Sequence, residues 1–108
     1  MSVSPNLPPA VLKRLPAGYR ATGGAWFVFP EADSRYDSIA KVNAWLRAED
    51  WYPQSFQDVV WYGDDGVGNF FGWRPAVQRA ILWNPEDGEE IQSEGAVEEL
   101  WQFVAKGF

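Results

Sequence analysis

The stretch Trp61-Tyr62-Gly63-Asp64-Asp65-Gly66-Val67-Gly68-Asn69-Phe70-Phe71-Gly72-Trp73 decides how this chain is read. Gly63, Gly66 and Gly68 fall close together, with Asp64, Asp65 and Asn69 between and beside them, and these residue types tolerate positive φ and favour turns. The chain therefore reverses here. Asp58-Val59-Val60-Trp61-Tyr62 reads as a buried strand leading in, and Asn69-Phe70-Phe71-Gly72-Trp73 as the strand leading out. Small residues between large rings let two aromatic strands approach closely.

Working outward, Pro8-Pro9-Ala10-Val11-Leu12-Lys13-Arg14-Leu15 suits a short helix opened by prolines and stopped by Pro16 and Gly18. Ala25-Trp26-Phe27-Val28-Phe29, ended by Pro30, is a compact apolar run and predicts a first strand. Residues 37–48 carry Ile39, Val42, Trp45 and Leu46 at helical spacing, with Asp37 or Ser38 as the cap. Pro53 argues against continuing that helix through the linker at residues 49–56. Arg74-Pro75 redirects the backbone before a strand at residues 79–84. Asn84-Pro85-Glu86-Asp87-Gly88 then predicts a hairpin with an acidic tip and a return strand from Glu89. Val97, Leu100, Trp101 and Val104 share one face of a closing helix. This order of elements predicts one α+β domain over residues 1–108, with helices flanking a single, mainly antiparallel mixed sheet.

Composition narrows the chemistry. The 108 residues contain neither cysteine nor histidine. That removes disulfides, thiolate metal sites, the Ser-His and Cys-His nucleophilic devices and the commonest general base. Gly66-x-Gly68 with Gly72 is one residue too long for a dinucleotide fingerprint and precedes a strand. Asp64, Asp65 and Asn69 do not follow calcium-loop spacing. The reading is a non-enzymatic chain with no cofactor. No apolar run is long enough to cross a bilayer, and residues 1–6 lack the basic and apolar regions of a secretory signal, so the expected location is the cytoplasm. Net charge is −6, and the 15 acids all lie beyond residue 30. Direct nucleic-acid binding needs the opposite sign, whereas a basic protein would be steered toward such a surface.

Gly63-Asp64-Asp65-Gly66-Val67-Gly68-Asn69-Phe70-Phe71 resembles the central signature of the SUKH superfamily, in which an apolar strand enters a glycine-rich acidic turn and an aromatic strand leaves it. Residues 80–89 resemble that family's next strand and tight turn, and residues 96–104 its closing helix. The first half carries the likeness only faintly, through Leu7-Pro8-Pro9 and Gly23-Gly24. The resemblance implies a mixed sheet with flanking helices, and an immunity protein that binds and neutralises a cognate toxin of a bacterial polymorphic toxin system. The superfamily also includes fungal regulators of cell-wall synthesis, which makes a regulatory or scaffold domain the alternative, with a carbohydrate-binding domain behind it.

The expected partner is a basic toxin such as a nuclease. Trp45 and Trp101 lie on apolar helical faces, and Trp26 and Trp61 in apolar strands, which predicts core positions. Trp51, Tyr52 and Trp73 border loops, where packing over a core edge and exposure as binding anchors are both open. The expected contact surface is Trp51, Tyr52, Asp64, Asp65, Asn69, Trp73, Glu86, Asp87, Glu89 and Glu90.

Overall fold

A computed structural model describes residues 7–15, 17–32, 38–86 and 89–106, and for residues 89–94 the backbone only. Its elements run α1 (Pro9–Leu12), β1 (Tyr19–Arg20), β2 (Phe27–Val28), α2 (Ile39–Ala48), β3 (Val60–Asp64), β4 (Phe70–Arg74), β5 (Arg79–Asn84), β6 (Glu89–Glu94) and α3 (Val97–Lys106). The strands form one six-stranded sheet in the order of the sequence. Every pairing is antiparallel, so the described strands are a meander and include no parallel pair of the kind a mixed sheet contains. This is an α+β domain with helices flanking a single antiparallel sheet.

Alternation along the strands gives the sheet two aromatic sides. On one, Trp61 and Trp83 lie 4.9 Å apart, with Phe70 beside Trp61 and with Tyr52 and Phe56 packed against Trp83. On the other, Tyr62 stacks on Phe71 and meets Trp101 of α3 edge-on. Each fully buried ring contributes about 2–3 kcal/mol by removal from water, so a short chain gains a core from few elements. Gly72 opposes Trp61 in the β3–β4 register, where a β-carbon would stand 2.5 Å from Val59 Cγ1 and 2.6 Å from the Trp61 ring. The glycine is what lets the indole lie flat across its neighbour strand.

Ser38 caps α2, its Oγ accepting from the Lys41 amide at 3.1 Å. Ile39, Val42, Asn43 and Leu46 form the buried stripe of this helix. Asn43 is there to complete the sheet: β2 ends after Val28, and beyond it the Asn43 amide takes the place of a strand. Its Nδ2 donates to Trp61 O at 2.8 Å, and its Oδ1 accepts from Trp61 N at 2.9 Å. Arg47 continues the pattern by donating to Val59 O at 2.6 Å. Two polar side chains thus satisfy the free edge of β3 and of the residue that leads into it.

Several boundaries differ from expectation. The first helix is a single turn, because the chain tightens through residues 13–15 and Gly18 N donates back to Arg14 O. The expected strand at residues 25–29 shortens to Phe27–Val28, and β1 pairs with it unannounced, since two exposed residues carry no periodicity. The β3 strand runs to Asp64 with a bulge between Trp61 and Gly63. The strand at Arg79–Asn84 and its return from Glu89 stand as expected, while Asp37, Asp87 and Gly88 lie outside the described residues.

Candidate binding surface

The glycine loop is organised from within. Asp65 is buried, and its Oδ1 accepts from the amides of Val67 at 3.0 Å and Asn69 at 3.1 Å, while Oδ2 accepts from Asn69 Nδ2 at 2.7 Å. Asp65 N in turn donates to Asn69 O. Gly66 (φ 80°) and Gly68 (φ 101°) supply the left-handed backbone that closes this ring of bonds. Asp65 and Asn69 are therefore corrected from contact residues to the internal clamp of a turn. A short polar side chain that bonds the backbone two to four residues ahead is committed to its own loop.

Tyr52 and Trp73 are corrected in the same way, since both are buried. Tyr52 Oη accepts from Trp61 Nε1 at 2.7 Å and donates to Phe56 O at 2.7 Å, which ties the linker at residues 49–56 to the sheet. Burial raises the Tyr52 phenol pKa, and the bond from Trp61 and the charge of Arg47 only partly offset it. Tyr62 is more extreme. Its ring is fully enclosed and its hydroxyl has no hydrogen-bond partner among the described residues, so burial, reinforced by the charge of Glu98, holds its pKa well above the ordinary 10.0.

Of the other expected contact residues, Trp51 and Glu86 are exposed and Asp64 is half-buried at the end of β3. Asp64 lines an open groove of about 660 Å³ with Tyr19, Arg20, Phe27, Phe29 and Gly66. Glu89 and Glu90 lie on β6, opposite Asn84 and Trp83, and nothing is described of their side chains. Asp87 is outside the described residues. The described side chains among the ten expected residues thus do not form one exposed patch.

It brings together a different pair. Trp45, expected in the core, is 49% exposed, as is Trp51. Their rings meet at 79° with centroids 6.5 Å apart. Beneath them, Trp45 packs on the partly buried Phe70 and Trp51 on the fully buried Trp83, so both exposed indoles rest on rings of the sheet. Trp45 Nε1 donates to Glu49 Oε1 at 3.0 Å, which fixes the indole's orientation. The result is a rigid right-angled corner with a carboxylate at its edge. The signal that could have revealed it is angular: at about 100° per residue, Trp45 falls roughly 110° from the centre of the stripe formed by Ile39, Val42, Asn43 and Leu46. Counting Asn43 as a core position moves the buried face away from Trp45.

Among the described residues there is no cluster of three or more acidic, histidine or cysteine side chains placed to hold a metal ion. No described helix is long and apolar enough to cross a membrane. No protein-family model matches this chain, and neither do curated proteins or solved structures.

Proposed function

We propose that this domain is an immunity protein of the SUKH type, which binds a basic toxin and occludes its working surface without chemistry of its own. The observation that carries the reading is the Trp45–Trp51 corner: two large indoles half in solvent, held over the core, on a chain of net charge −6. Exposed aromatics that are already ordered lose little entropy on binding and serve as anchors, and surrounding charge sets partner choice and encounter rate. The order of glycine turn, aromatic strand, hairpin and closing helix, on which the resemblance rests, is compatible with the observed succession β3, β4, β5, β6 and α3. The most chemically suggestive acid of the loop, Asp65, is occupied by three donors, which favours binding over carboxylate catalysis. A regulatory scaffold domain would use the same corner on a partner from its own cell.

The test is co-expression with any basic toxin domain encoded beside this gene. Growth should be restored, and the two chains should purify as a one-to-one complex that weakens as salt is raised. Continued toxicity in the presence of soluble, folded protein would overturn the immunity reading.

A further inference from the structure

The geometry points to a specific occupant for the Trp45–Trp51 corner: we propose that it receives an arginine or lysine side chain of the partner, held against the two indoles and beside the Glu49 carboxylate. This deepens the protein-binding reading above and rests on it.

Three observations lead there. The rings meet edge to face at 79°, so a group lodged in the angle beside them touches two π systems, each of which attracts a cation. Local charge is complementary, because Glu49 and Asp50 follow directly on α2, and Glu49 is fixed beside Trp45 by the indole bond. Arg47 of α2 is committed elsewhere, donating to Val59 O, and the cation–ring contacts of Arg14, Arg20 and Arg74 lie on other rings.

The chain also shows the chemistry inside itself. The Arg14 guanidinium lies 4.8 Å from the Tyr19 ring, 5.6 Å from Trp26 and 5.0 Å from Trp101, with Nη1 anchored on Ala10 O. There an arginine of the chain fills an aromatic enclosure. At the Trp45–Trp51 corner the rings and the carboxylate are present, while Arg14, Arg20, Arg47 and Arg74 are each engaged elsewhere.

The experiment is calorimetric titration of the whole chain with a hexa-arginine peptide, alongside a hexa-citrulline peptide of the same shape without the charge. The arginine peptide should bind and the citrulline peptide should not. Trp45→Ala and Trp51→Ala, neither of which changes net charge, should each raise Kd roughly three- to tenfold, while Trp45→Phe and Trp51→Phe should retain most of the affinity. Glu49→Gln, which keeps an acceptor for the indole, should weaken binding by about two- to fivefold, against less than about twofold for Glu98→Gln on α3, which packs on the other side of the sheet. Equal losses for Glu49→Gln and Glu98→Gln with unchanged tryptophan variants would reduce the effect to overall charge and overturn the proposal, as would equal binding of citrulline or no binding of arginine. A corner that binds arginine in a chain that fails to protect against toxin would sink the immunity reading alone. Protection that survives Trp45→Ala with Trp51→Ala would sink the corner alone.

Discussion

Two tryptophans on two amphipathic helices meet opposite fates in this molecule. Trp101 of α3 is 4% exposed, stacked on Trp26 at 3.9 Å and 1°, with Arg14 against it. Trp45 of α2 is 49% exposed and meets Trp51 at a right angle. Both helices have ten residues, and both tryptophans read as core when apolar residues are simply counted. The difference is angular. Trp101 lies within the stripe of Val97, Leu100 and Val104, whereas Trp45 lies beyond the edge of a stripe that Asn43 completes. A helix that uses a polar residue to finish a sheet edge rotates an aromatic into solvent, and that rotation creates the candidate binding surface.

The largest effect should separate the two residues directly. Trp101→Ala should cost about 3–5 kcal/mol in chemical denaturation, since it removes a buried indole and leaves a cavity beside Tyr62. Trp45→Ala should cost less than about 1 kcal/mol, because the half-exposed packing on Phe70 and Trp51 and the exposed bond to Glu49 are what is lost. Comparable losses would break the contrast.

Replacing Arg14 by Met keeps much of the stem but removes the cation from its three rings and the bond to Ala10 O, and should cost about 1–2 kcal/mol in the same assay. Retained stability would mean that the ring enclosure does not value a cation, and would weaken the analogy drawn for the exposed corner.

A smaller, sharper effect concerns Tyr62, which shares the Trp101 side of the sheet. Its pKa is raised in the folded chain, so the native state holds the phenol proton more tightly than the unfolded chain does. The associated stability is fully present below pH about 10 and is lost as pH climbs through the higher folded value. Tyr62→Phe should be neutral or slightly stabilising near neutrality, because the hydroxyl has no partner among the described residues. It should also flatten the alkaline decline, leaving the part due to Tyr52, which acts in the same direction. Denaturation curves at neutral and alkaline pH check both halves of this expectation, and an unchanged alkaline slope would contradict it.

The sequence pattern made the sheet legible wherever rings alternate with glycines. The turn at residues 63–69, the strand at Arg79–Asn84 and the α3 stripe were all readable because backbone geometry and apolar spacing agree there. The two-residue β1 was not, since pairing by so short an edge depends on the neighbour and leaves no pattern. Exposure of the candidate contact residues was legible only in part. Trp51, placed in a polar linker, is exposed, but Asp65, Asn69, Tyr52 and Trp73 look the same in sequence whether they face outward or are buried. Hydrogen-bond closure over two to four residues decides for Asp65, Asn69 and Tyr52, and burial within β4 decides for Trp73; composition records neither.

The central claim is most directly tested by heteronuclear magnetic resonance of the indole N–H signals during titration with hexa-arginine. The account predicts that the Trp45 and Trp51 signals shift together and saturate, while those of Trp26 and Trp101, around the enclosed Arg14, stay in place. Trp45 and Trp51 signals that stay in place, or that move no more than those of Trp26 and Trp101, would contradict it.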